Sequence, residues 1–115
     1  MNIPTEVIFD EEEAVSRVRL GLRTWKALTT GTITEMHLWI ESTTNATKFF
    51  NVRKNGVNLF SNSQRFSLTS SVFYEAKTGL SIPITLGDEL ALDFVRSGLG
   101  TVQTPITFLM VTEES

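Results

Sequence analysis

The chain of 115 residues contains no cysteine. This excludes disulfide bonds, thiolate nucleophiles, cysteine-ligated zinc and iron–sulfur clusters, and leaves the redox compartment open. The single histidine also excludes a metal site built from several histidines. No apolar run approaches the roughly 18 residues of a membrane helix, so we expect no membrane contact. The first residues lack a basic segment followed by a long apolar one, so we expect no signal peptide.

Composition predicts one soluble domain with its own core, because 41% of the residues are hydrophobic and 20% are charged. The acidic residues concentrate at the ends, with five in the first 13 positions and two in the last three. We therefore predict an N-terminal arm over residues 1–13 and a main domain over residues 14–115. The apolar residues 1–9 could form a first strand or an arm that lies on a partner. The basic residues are scattered, without a cluster or interleaved aromatics, which disfavours nucleic-acid binding.

The segment 49–60, FFNVRKNGVNLF, carries the clearest local signal. Asn55 and Gly56 both tolerate the positive φ that a two-residue type I′ turn requires. Apolar-patterned arms on both sides predict a β-hairpin around them.

Alternating apolar residues predict further strands at spacings typical of an antiparallel sandwich or barrel. Residues 10–18 are ambiguous, because Asp10 and Glu13 resemble a capping box whereas the following residues alternate as in a strand. A strand over 15–28, with a short helical turn at 10–14, is favoured. The predicted strands cover residues 15–28, 32–41, 48–54, 57–61, 65–77, 80–86, 89–96 and 106–112. The strand over 65–77 is expected to be bulged or broken near Ser70-Ser71.

Three segments together carry a family resemblance: GTITEM from Gly31, VRKNGVNLF from Val52 and LGDELAL from Leu86. Their order resembles the jelly-roll domains of tailed-bacteriophage virion proteins, such as head decoration proteins, head fibres and tail-fibre tips. Similar jelly rolls occur in trimeric heads of the tumour-necrosis-factor and complement type and in carbohydrate-binding modules. Residues 1–23 have no counterpart.

The resemblance implies an all-β antiparallel β-sandwich, a jelly roll of about eight strands, preceded by an extended arm. It also implies a non-enzymatic structural protein that forms a homo-oligomer, with a trimer favoured. Its expected partners are capsid or tail subunits, and its expected location is the virion, assembled in the host cytoplasm.

The residues within these three motifs are typical of turns rather than of ligand sites. Glycine supplies tight or positive-φ backbone, and aspartate can accept hydrogen bonds from nearby amides. We assign this structural turn role to Gly31, Asn55, Gly56, Gly87 and Asp88.

No constellation in the sequence predicts catalysis, a cofactor or a metal. His37 lacks a nucleophile motif nearby, so a structural or interface role is favoured, and a pH-sensitive interface stays open. The acidic residues from Asp88 to Asp93 are not spaced as a calcium loop. Glu35 and Glu41 are not by themselves evidence for a glycosidase.

The aromatic residues carry most of the functional interest, namely Trp25, Trp39, Phe49 and Tyr74. Trp39 is expected to face outward together with His37, because the alternating residues Met36, Leu38 and Ile40 belong to the core-facing set. A neighbouring subunit, the arm or a stacked sugar would cover it. Phe49 is expected to share that surface. The predicted assembly interface comprises Ile3, Val7, Ile8, Phe9, Trp39 and Phe49.

Two functional hypotheses follow. The first is a self-associating virion structural protein that decorates a capsid or forms part of a fibre or tail. The second is a carbohydrate- or receptor-binding module that contacts a cell-surface glycan through Trp39 or through Asn45, Asn62 and Gln103.

Overall fold

The computed structural model describes residues 2–9, 19–41, 47–68, 72–96 and 103–114. These residues form ten strands. The strands are β1 (Asn2–Phe9), β2 (Arg19–Lys26), β3 (Gly31–Glu41), β4 (Lys48–Lys54), β5 (Val57–Asn58), β6 (Phe66–Leu68), β7 (Tyr74–Lys77), β8 (Ile82–Ile84), β9 (Glu89–Arg96) and β10 (Gln103–Glu114).

The strands form two antiparallel five-stranded sheets. Sheet 1 has the order β1-β10-β3, and β7 and β8 both pair with β3. Sheet 2 has the order β2-β9-β4, and β5 and β6 both pair with β4. The chain passes back and forth between the sheets, which confirms the predicted jelly-roll sandwich.

Aromatic side chains from both sheets meet in the core. Phe108 of sheet 1 packs against Trp25 and Phe66 of sheet 2, at centroid distances of 5.6 and 6.3 Å. Phe50 and Phe94 pack at 5.1 Å within sheet 2. Because these large rings are removed from water, they supply much of the hydrophobic stabilisation of the fold.

The predicted single strand over residues 65–77 is instead two strands in different sheets. Phe66–Leu68 pairs with β4, whereas Tyr74–Lys77 pairs with β3. A strand of either sheet shows the same alternation of apolar and polar residues, so the pattern did not reveal the change of sheet. The predicted break near Ser70-Ser71 lies outside the described residues.

Other strand boundaries differ by a few residues. Residues 10–18 lie outside the described residues, so their helix or strand alternatives stay open. Pro83 lies in β8, which pairs only with β3 among the described strands and so tolerates a residue without an amide hydrogen. β10 begins before Pro105, where a register shift against β3 accommodates the second proline.

The two predicted turns at Asn55-Gly56 and Gly87-Asp88 adopt the expected backbone and also contact each other. Asn55, Gly56 and Gly87 have φ values of 51°, 83° and 90°. Asn55 Nδ2 donates to Asp88 Oδ1 at 3.0 Å, and Asp88 Oδ2 accepts from the Thr85 amide at 2.8 Å. These two hydrogen bonds lower the pKa of Asp88, with that from Asn55 the larger cause.

Gly31 has a role different from the predicted turn. It is the buried first residue of β3, and its φ lies outside the positive range. A Cβ atom at this position would collide with the main-chain carbonyl oxygen of Glu113 and lie 3.0 Å from Cα of Glu114. Glycine is therefore required by the close approach of β10.

The N-terminal segment forms an edge strand of sheet 1. Along β1, Ile3 pairs with Thr112, Val7 with Phe108, Ile8 with Thr107 and Phe9 with Ile106. This part of the predicted arm therefore belongs to the sandwich, while its role in assembly stays a prediction. None of the described segments forms a helix with the length and apolar character that crossing a bilayer requires.

Candidate functional site

Alternation along β3 places three polar or aromatic side chains on the outer face of sheet 1. Met36, Leu38 and Ile40 point into the core, with 0, 0 and 5% exposure. Because successive strand residues point to opposite faces, Glu35, His37 and Trp39 lie outside. Trp39 is 39% exposed, in the outward position that the sequence predicts.

An aromatic platform forms where β3 meets β7. Trp39 and Tyr74 are opposite each other in register, and their ring centroids are 4.9 Å apart with planes inclined by 27°. His37 lies 5.8 Å from Trp39 and 6.0 Å from Tyr74, inclined by 15° to each. We define the aromatic platform as His37, Trp39 and Tyr74, three near-parallel rings of which the tryptophan and tyrosine are exposed.

Both ring nitrogens of His37 have polar partners. Nδ1 lies 2.7 Å from the Tyr74 hydroxyl oxygen, and Nε2 lies 3.0 Å from Glu35 Oε1. A carboxylate only accepts hydrogen bonds, so the neutral imidazole donates from Nε2 and accepts the tyrosine O–H at Nδ1. The chain of hydrogen bonds fixes the orientation of His37 and Tyr74.

The flank of the platform toward β10 is mostly apolar. Thr107, Leu109 and Val111 pair in register with Trp39, His37 and Glu35, respectively, and all three are half-buried. On the other side β7 is an edge strand among the described strands. Val72 and Phe73 precede it with 45 and 43% exposure, and the Phe73 ring centroid lies 6.0 Å from Lys48 Nζ of sheet 2.

The chemistry of this face suits binding of a ring-containing ligand. Trp39 and Tyr74 stack on each other, and the ring surface that stays exposed can accept a flat apolar ligand. Glu35, His37 and Tyr74 supply hydrogen-bonding groups beside it. The partners of His37 among the described residues are a carboxylate and a phenol. In the described part of the chain no cluster of three or more acidic or histidine side chains is arranged to hold a metal ion.

The structure separates Phe49 from Trp39, contrary to the sequence interpretation. Phe49 lies in β4 of sheet 2, where the Arg65 guanidinium carbon is 4.3 Å from its ring centroid. Trp39 lies on the outer face of sheet 1. The two aromatics do not form one patch, because β3 and β4 follow each other in sequence but belong to different sheets.

Other residues singled out in the sequence also lie away from the platform. Trp25 packs in the core against Phe108. Asn62 lies in an exposed turn and accepts from Arg65 Nη1 at 3.4 Å, and Gln103 begins β10. Asn45 lies outside the described residues.

The sequence interpretation placed His37 on the same strand face as Trp39 but did not add Glu35 or Tyr74 to them. The alternation Glu35-x-His37-x-Trp39 was a usable signal, since it places all three on one strand face. Tyr74 joins them only through the pairing of β7 with β3, for which the sequence contains no local signal.

No family model matches the chain, and no curated protein sequence matches it. Among solved structures, a family 35 carbohydrate-binding module from Clostridium thermocellum aligns over 96% of this chain and 99% of its own, with a TM-score of 0.50 and 12% identity. A family two carbohydrate esterase from Cellvibrio japonicus aligns over 98% of this chain and 35% of its own, with a TM-score of 0.45 and 11% identity. The first similarity shows a shared β-sandwich fold.

Proposed function

We propose that the domain is a carbohydrate-binding module whose ligand stacks on the aromatic platform. The observation that carries the proposal is the exposed, near-parallel pair of Trp39 and Tyr74, 4.9 Å apart on the outer face of sheet 1. The apolar C–H face of a pyranose ring complements the negative face of an aromatic ring. The sugar hydroxyls then find hydrogen-bonding groups at the rim of the platform.

The arrangement of the site is suited to binding. The hydrogen bonds among Glu35, His37 and Tyr74 hold the imidazole and the phenol in place, so little side-chain entropy is lost when a ligand stacks. The similarity to a carbohydrate-binding module supports the proposal at the level of the fold.

A titration of soluble polysaccharides and oligosaccharides by calorimetry tests this function. We expect Trp39→Ala to weaken binding by about fivefold, because a lost aromatic contact is worth roughly 1 kcal/mol. Phe49→Ala is the matched control, an aromatic on the other sheet that we expect to leave affinity unchanged. Equal affinity of the wild type and Trp39→Ala would refute the proposal.

A second candidate function is self-association, favoured by the opposite charges of the two sheets. The strands of sheet 1 hold six carboxylates and one lysine, whereas those of sheet 2 hold two carboxylates and seven lysine or arginine residues. Contact of sheet 1 with sheet 2 of a second copy would be attractive. Such a contact is heterologous and gives a closed ring such as a trimer only if the rotation between copies closes, whereas a two-fold dimer places like faces together.

The virion role and the capsid or tail partners would build on this self-association. Light scattering across a salt series tests it. We expect trimers at low ionic strength that dissociate as salt screens the charges. A monomer at every salt concentration, or a two-fold dimer, would contradict this candidate.

A further inference from the structure

The aromatic platform lies on the acidic sheet of the sandwich. The strands of sheet 1 carry a net charge of −5 and those of sheet 2 carry +5, although the whole chain has a net charge of only −3. A ligand that approaches the outer face of sheet 1 therefore meets a negative local field, whereas the net charge alone indicates a nearly neutral protein.

The single lysine in the strands of sheet 1 does not alter the charge at the platform. Lys77 Nζ lies 3.1 Å from Glu75 Oε2 and about 5 Å from the ring centroids of Phe60 and Phe66. These contacts direct the amine to the inner, open edge of the sandwich. Among the described strands, the outer face of sheet 1 thus presents no lysine or arginine that could pair with an acidic sugar.

Glu35 is the charged group nearest to the stacked rings. Its side chain is 42% exposed, and within the described residues only Oε1 is bonded to His37. The second carboxylate oxygen has capacity to accept a charge-assisted hydrogen bond. The ligand group that matches a half-exposed carboxylate in a negative field is a protonated amine.

The carboxylate of Glu35 is in direct contact with the platform. Glu35 Oε1 lies 3.0 Å from His37 Nε2, and the ring centroid of His37 lies 5.8 Å from that of Trp39. A sugar that stacks on the platform therefore brings its own amino group, or that of the next ring, close to Glu35.

On the premise that the platform binds glycans, we propose that its ligand is a cationic amino sugar, a glucosamine oligomer. One pyranose ring stacks on the exposed surface of the platform, and an ammonium group of the oligomer pairs with Glu35. Acidic polysaccharides are disfavoured, because their carboxylates meet Glu35 without a compensating cation.

Calorimetric titration of glucosamine oligomers and N-acetylglucosamine oligomers of equal length tests this ligand class, since the two differ in charge on the same ring framework. We expect the glucosamine oligomer to bind at least about tenfold more tightly, and added salt to reduce the difference. We expect Glu35→Gln to remove most of the preference. Glu113→Gln is the matched control, because it neutralises an exposed carboxylate of the same sheet away from the platform and should retain the preference.

The outcomes separate this inference from the proposed function. If N-acetylglucosamine or neutral glucose oligomers bind through Trp39 as tightly as the glucosamine oligomer, the charge selection is refuted while glycan binding stands. A preference that Glu35→Gln leaves intact also refutes the role of Glu35. If no oligosaccharide binds, or Trp39→Ala changes nothing, the proposed function itself fails.

Discussion

Arg53 and Asp93 form a bidentate ion pair between the neighbouring strands β4 and β9. Arg53 Nε lies 2.6 Å from Asp93 Oδ2, and Nη2 lies 3.0 Å from Oδ1. Asp93 is only 1% exposed, whereas the arginine side chain is 28% exposed. The hydrogen bond to Asp93 is the main cause that raises the pKa of Arg53 above its usual value.

Removal of the arginine should strongly destabilise the fold. We expect Arg53→Met to lower the free energy of unfolding by about 3 kcal/mol, because it leaves a buried carboxylate without this partner. Arg53→Lys should cost about 1 kcal/mol, since it retains the charge and loses the planar fork. Urea denaturation measures both.

The matched control for this ion pair is Lys26→Met. Lys26 Nζ lies 3.6 Å from Glu89 Oε2, and both side chains are more than half exposed. An exposed pair of this kind contributes less than about 1 kcal/mol. If Lys26→Met lowered the free energy of unfolding as much as Arg53→Met, burial of Asp93 would not explain the importance of the Arg53–Asp93 pair.

Asp88 should contribute to the loss of stability in acid. Its pKa in the folded protein is lowered by hydrogen bonds from Asn55 and the Thr85 amide, whereas the unfolded value is about 3.9. The ionised group thus stabilises the fold above the unfolded pKa, and this contribution disappears as pH falls through the folded pKa. Between about pH 5 and pH 2, we expect the melting temperature of Asp88→Asn to fall less than that of the wild type. Glu114→Gln, on an exposed position of β10, should follow the wild-type curve.

Gly31 should tolerate no side chain. We expect Gly31→Ala to cost about 1–3 kcal/mol, because the added methyl group overlaps the backbone of β10. Gly56→Asn is the comparison, since Gly56 has φ of 83° with open space around it and asparagine tolerates that backbone. Both variants are measured in the same denaturation assay. If Gly56→Asn lost more stability than Gly31→Ala, the close approach of β10 to Gly31 would not be the reason that glycine is needed there.

Phe108 should be a principal contact between the two sheets. It is fully buried against Trp25 and Phe66, so Phe108→Ala should cost about 3–5 kcal/mol. The fluorescence of Trp25 should shift to longer wavelength as water enters the cavity. Val57→Ala, at a position that is 68% exposed, should change stability by less than about 0.5 kcal/mol. An unchanged midpoint for Phe108→Ala would be contrary to this packing.

The turns and strand faces could be predicted because their causes are local. Asn55-Gly56 and Gly87 have the positive φ that their residue types favour. The outward position of Trp39 follows from the two-residue period of a strand. The type of the fold followed from these features together with the resemblance of the three motifs.

Contacts between distant residues could not be predicted in the same way. Gly31 was expected in a turn, but the backbone at Glu113 is what requires glycine there. Phe49 and Trp39 were expected on one surface, but their strands belong to different sheets. In both cases the outcome depends on strand pairing between residues that are far apart in sequence, and a short sequence window does not show such pairing.

The sequence by itself determined that Glu35, His37 and Trp39 lie on one face of a strand and that a hairpin turns at Asn55-Gly56. Only the tertiary structure decided that Tyr74 completes the aromatic platform and that the acidic and basic strands separate into opposite sheets. Alternation and turn preference act between neighbouring residues, so they can be recognised in sequence. Strand pairing is selected by the whole core, and it alone brings the platform together.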